Sequence, residues 1–184
     1  MPTVVVPFRG ETAKQRLAPA PHEVRARLAQ AMFEDVLAAA EAVGTVLVAD
    51  AAGGQGPAVE AALRHAEEGP ILVVNADLPC ARPRDLLTLL GALPEGGLAL
   101  VPAADGTTNA LALAAPYLFA PLYGPNSADR FLARAERLEV PAALAAIPNL
   151  AADVDTLSDL ERIELCVGPR TKAALEALRA GLPR

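Results

Sequence analysis

The segment N-A-D-L-P places Asp77 just beyond the apolar run at 71–75, and Pro79 stops that run as a strand. Hard cations such as Mg²⁺ choose carboxylate and phosphate oxygens, so a carboxylate delivered to the end of a buried strand suits a metal-assisted phosphate reaction. A helix-capping role fits Asp77 less well, because Pro79 and Pro83 separate it from the next helical segment. The pair Asp153 and Asp155 offers a second source of carboxylates, since alternate residues of an extended segment share one face. Either could complete a metal site with Asp77. Capping of the helix that follows explains Asp155 equally well, with Thr156 as the other candidate cap.

Cations and glycines occupy comparable places. The segment R-G-E-T-A-K-Q-R-L after the first apolar run sets Gly10 beside Arg9, Lys14 and Arg16, where three positive charges and a close-approaching backbone can hold a polyphosphate. It has neither Walker nor dinucleotide spacing, and a solvated basic turn is the competing explanation. In A-G-G-Q-G-P-A, residues Gly53, Gly54 and Gly56 surround Gln55, so backbone and side-chain amides can read a flat base edge. A glycine turn without a ligand produces the same pattern. Two more polar segments, D-G-T-T-N-A-L and Y-G-P-N-S-A-D-R, carry hydroxyls and amides in an otherwise apolar region. Ser127 falls at a helix start, a favourable place for an anion.

The elements that must position these groups are short and alternate in kind. Apolar runs at 3–8, 45–49, 71–75 and 98–101 read as buried strands. Helical periodicity covers 22–42, 58–67 and 84–90. Further strands are expected at 111–115 and near 145–147, a helix at 127–138, and two helices after residue 155. This pattern predicts a single α/β domain over residues 1–184, with a mainly parallel or mixed sheet flanked by helices. In such sheets ligands bind beyond the carboxyl ends of the strands, where the polar segments lie.

Composition removes several classes. With a net charge of −6 and no basic run, nucleic acid is not expected as a partner. No window reaches a membrane-spanning length of apolar residues, and the N-terminus lacks the features of a signal peptide, so a cytoplasmic protein is expected. Cys80 and Cys166 lie far apart without C-x-x-C spacing and read as separate packed thiols. His22 and His65 read as surface residues. A homo-oligomer is compatible with the sequence.

Taken in order, V-P-F-R-G, A-K-Q-R-L, G-G-Q-G-P-A, N-A-D-L-P, D-G-T-T-N-A-L, Y-G-P-N-S-A-D-R-F and D-V-D-T-L-S-D-L resemble the 2-phospho-L-lactate or phosphoenolpyruvate guanylyltransferase family over almost the whole chain. That resemblance implies a GT-A-like or MobA-like nucleotidyltransferase fold. It also implies transfer of GMP from GTP to phosphoenolpyruvate, 2-phospho-L-lactate or 3-phospho-D-glycerate, with release of pyrophosphate, in coenzyme F-420 biosynthesis. It assigns Arg9, Gly10, Lys14 and Arg16 to the GTP phosphates, with Lys14, Arg16 and Asp77 in catalytic roles. Gly53 and Gly54 fall to guanine, Asp77 and Asp155 to Mg²⁺, and Thr108, Asn109, Gly124 and Ser127 to the phosphorylated acid. Arg9 stands where the family carries lysine, exchanging a point charge for a planar fork. Two other readings use the same residues: a MobA-like transferase acting on molybdopterin, and a nucleotide-binding domain without turnover.

Overall fold

The computed structural model describes residues 1–8 and 21–181. Six strands, β1 (Thr3–Pro7), β2 (Thr45–Ala49), β3 (Ile71–Val74), β4 (Leu98–Pro102), β5 (Thr108–Leu113) and β6 (Ala142–Leu144), form one sheet in the order β2-β1-β3-β5-β4-β6. The pairs β1–β2, β1–β3 and β4–β6 are parallel, whereas β5 runs antiparallel to both β3 and β4. The sheet is therefore mixed.

Both faces are covered, which is why the strand sequences read as continuous apolar runs. Alternate residues supply two cores. Val4, Val6, Leu72, Val74, Ala99, Val101, Ala110 and Ala112 face one side. There they meet Phe33 and Val36 of α1 (His22–Glu41) and Leu86 and Leu89 of α3 (Pro83–Gly91). Val5, Ile71, Val73, Leu98, Leu100, Leu111 and Leu113 face the other side. They pack on Val59 and Leu63 of α2 (Gln55–Leu63) and on Phe131 of α4 (Ser127–Arg137). A third cluster, Leu28, Met32, Val154, Leu160 and Leu175, binds α1 to α6 (Leu157–Ile163) and α7 (Pro169–Gly181). Buried Asp35 of α1 accepts the backbone N–H groups of Arg170 and Thr171 at 3.1 and 2.8 Å, satisfying donors at the start of α7. Gly168 makes this approach feasible, because a Cβ there would lie 2.3 Å from the Asp35 carboxyl carbon.

Several expected boundaries move. The helix α2 begins at Gln55 rather than residue 58, with Gly54 as N-cap at φ 100°, a conformation open to glycine. Strand β5 starts at Thr108 rather than residue 111, and β6 occupies Ala142–Leu144 rather than 145–147. The run A-A-L-A-A-I has no polar alternation to fix its register; instead, Leu98 N–H bonds to Pro141 O at 3.0 Å and sets where pairing with β4 begins. A short helix, α5 (Pro148–Ala151), precedes the two expected C-terminal helices and is tied to α3 by the Asn149–Asp85 hydrogen bond of 2.9 Å. The larger correction concerns Cys80 and Cys166, which form a disulfide with their Cα atoms 5.2 Å apart. They are not separate thiols; the packing of α6 and α7 beneath the loop after β3 brings together positions 86 residues apart. Both histidines are exposed, and no described helix is long and apolar enough to cross a membrane.

Candidate active site

The reversed direction of β5 builds one wall of the site. Because β5 is antiparallel to β3, its first residues, Thr108 and Asn109, lie at the sheet edge where β3 ends, and Asn75 N–H bonds to Asn109 O at 3.0 Å. Their side chains are satisfied by partners on other elements. Ser127 Oγ donates to Thr108 Oγ1 at 3.0 Å, both residues being fully or almost fully buried, and Asn109 Nδ2 donates to Asp153 Oδ1 at 3.2 Å. Ser127 opens α4 after Asn126, which sits in the left-handed region at φ 55° and follows Gly124 at φ 115°.

The opposite wall is acidic. Between α5 and α6, Val154 turns into the third core cluster while Asp153 and Asp155 turn toward Asp77. One oxygen from each of the three carboxylates lies within 4.8 Å of the other two. Thr156, not Asp155, caps α6: its hydroxyl accepts Asp159 N–H at 3.2 Å, and Thr156 N–H donates in return to Asp159 Oδ2 at 2.8 Å. Burial raises the pKa of Asp153, the charges of Asp77 and Asp155 add to the rise, and the Asn109 amide opposes it. An oxygen-only donor set with excess negative charge fits a hard divalent cation, and no thiol or imidazole belongs to it.

These walls enclose a cavity of about 340 Å³ lined by Asn75, Asp77, Thr108, Asn109, Gly124 and Ser127, with Asp153 and Asp155 alongside. Six expected site residues thus converge: Asp77, Asp155, Thr108, Asn109, Gly124 and Ser127. Gly53 and Gly54 do not line this cavity; they hold the positive φ angles that turn the chain into α2, and the next residue, Gln55, reaches it. Arg9, Gly10, Lys14 and Arg16 lie outside the described residues. Sequence reasoning passed over Asn75. Gln55 Nε2 donates to Asn75 Oδ1 at 2.6 Å, and Asn75 Nδ2 donates to Thr108 O at 3.2 Å, linking the start of α2 to the start of β5. The signal was present: Asn75 is the first polar residue after the β3 run.

Comparison with known proteins places the chain in a family. Residues 4–139 match the family model of the MobA-like NTP transferase domain. The phosphoenolpyruvate guanylyltransferase of Streptomyces scabiei is 36% identical, with 96% of each chain covered. That of Nocardia farcinica is also 36% identical, covering 91% of this chain and 87% of its own. Among solved structures, a Desulfovibrio desulfuricans protein bearing the name of a nucleotide-diphospho-sugar transferase superposes with a TM-score of 0.72 at 16% identity. The match covers 97% of this chain and 95% of the other. At that identity the likeness concerns the fold.

Proposed function

We propose that this chain, which belongs to the phosphoenolpyruvate guanylyltransferase family of MobA-like NTP transferases, moves GMP from GTP onto the phosphate of a phosphorylated three-carbon acid. Phosphoenolpyruvate, 2-phospho-L-lactate and 3-phospho-D-glycerate are the acceptor candidates, pyrophosphate leaves, and the product enters coenzyme F-420 biosynthesis. The observation that carries this reading is the meeting of three carboxylates with the Thr108–Ser127 corner in one small cavity.

In this reading Ser127, the backbone after Gly124 and Thr108 hold the acceptor's anionic groups at the start of α4. The acceptor phosphate is already ionised and attacks the α-phosphorus in line, so no residue need act as a base. Gln55, behind Gly53 and Gly54, faces the nucleotide, while Arg9, Gly10, Lys14 and Arg16, which come after β1 in the sequence, hold its phosphates and neutralise the leaving pyrophosphate. Asp77 and Asp155, joined by Asp153, would hold Mg²⁺, which when bound supplies positive charge to the phosphate oxygens. The protein's own contribution is alignment and a fixed charge pattern.

The test offers GTP or CTP with Mg²⁺ and each acid separately, followed by pyrophosphate release and product mass. A guanylylated acid of the expected mass supports the proposal. Failure of every phosphorylated acid to yield product, with GTP still bound, would favour a domain without turnover.

A further inference from the structure

We infer that the Cys80–Cys166 disulfide is a positioning device for the acidic site, so that oxidised and reduced forms of the protein differ in their affinity for a divalent cation. The inference rests on the reading of Asp77, Asp153 and Asp155 as the cation-holding residues. Those carboxylates come from two separate stretches of chain, the loop after β3 and the segment before α6, and three like charges this close push the stretches apart. Three links oppose that push. Val154 N–H donates to Asp77 O at 3.0 Å, between the two flanking acids. Gly168 N–H donates to Pro79 O at 2.7 Å. The third is the disulfide, which lies three residues beyond Asp77 on one stretch and eleven beyond Asp155 on the other. Backbone hydrogen bonds contribute modestly and exchange with water, whereas the covalent link holds the stretches together whatever the solvent does.

The bond is also reachable. Cys80 is buried but Cys166 is half-buried, and both line a cavity of about 370 Å³ with Pro79, Arg82, Gly168 and Arg170. A small dithiol entering there can break the S–S bond. It supplies two electrons and two protons, leaves Cys80 and Cys166 as thiols, and closes to its own disulfide; an oxidised dithiol of the same class reverses the exchange. With the link open, the hydrogen bonds Val154–Asp77 and Gly168–Pro79 no longer have a covalent tie beside them, and the carboxylates separate more easily.

The experiment measures Mn²⁺ binding from the resonance signal of the free aqueous ion. Oxidised protein is compared with protein reduced by dithiothreitol and desalted without oxygen, and with the Cys80→Ser/Cys166→Ser double variant. The expected result is Mn²⁺ affinity weaker by about ten- to a hundredfold on reduction, restored on reoxidation, with circular dichroism unchanged. Equal affinity in both states overturns the inference. So does a loss of affinity that accompanies global unfolding, since the bond would then support the fold rather than the site. If the double variant does not fold, the reduced natural chain still decides. Oxidised Asp77→Asn separates the two levels: Mn²⁺ bound as tightly as by the natural chain refutes the cation reading itself, whereas weakened binding there with no response to reduction refutes the disulfide's role alone.

Discussion

Thr156 caps α6 through a reciprocal pair of hydrogen bonds with Asp159, and this leaves the neighbouring Asp155 to face Asp77 across the cavity. The two roles that compete for Asp155 in the sequence are therefore divided between adjacent residues, and substitution separates them. Thr156→Ala should remove about 1 kcal/mol of stability, seen as a melting temperature lower by about 2–4 °C. Asp155→Asn should leave melting within about 2 °C, yet reduce turnover at least about tenfold. Parallel melting and initial-rate measurements check the pair.

Ser127 and Thr108 share a buried hydrogen bond at the corner where the acceptor acid is expected to sit. Ser127→Ala leaves the Thr108 hydroxyl without that donor and withdraws a hydroxyl from the pocket. The KM for the acid should rise about tenfold while the KM for GTP changes little. Steady-state kinetics with each substrate varied in turn would show the asymmetry; equal effects on both would place Ser127 elsewhere in the reaction.

The Tyr123 ring packs against Phe119 and Phe131 at the cavity wall, and its buried hydroxyl has no hydrogen-bond partner among the described residues. Burial raises its pKa above the ordinary phenol value, so the group stays neutral. An unpaired buried hydroxyl costs about 1–3 kcal/mol. Tyr123→Phe keeps the ring packing and should raise the melting temperature by a few degrees. A lower melting temperature would mean that the hydroxyl is satisfied.

Acid should loosen α6. Burial of Asp159 works to raise its pKa, but hydrogen bonds from Thr156 and from the Asp155 backbone, together with the Arg162 charge, outweigh it and hold the carboxyl below its ordinary value. A depressed carboxylate pKa stabilises the folded state above the unfolded-state value, and that contribution disappears as pH falls through the folded-state value. Melting from pH 6 down to pH 3 should therefore show an acid loss in the natural chain that is shallower in Asp159→Asn.

Much of the site was legible because its residues obey local rules. Asp77 follows a buried strand, Asp153 and Asp155 alternate around an apolar residue, and Ser127 begins an amphipathic helix. The polar Thr108 and Asn109 lie ahead of the strand expected at 111–115, yet they belong to β5 because partners on other elements satisfy their side chains, and only tertiary structure supplies those partners. The Asn75–Gln55 contact and the Cys80–Cys166 bond were hidden for the same reason. Each joins separate elements through the packing of the sheet and its helices, and no spacing along the chain encodes that.

The most direct trial of the central claim is single-turnover pyrophosphate release from GTP with phosphoenolpyruvate and Mg²⁺, comparing the natural chain with an Asp77→Asn variant of matched melting temperature. If nucleotidyl transfer occurs where the three carboxylates face Thr108 and Ser127, the variant should be slower by about a hundredfold or more, since several kcal/mol of charge stabilisation depend on Asp77. A folded Asp77→Asn protein that releases pyrophosphate within a few fold of the natural rate would contradict it.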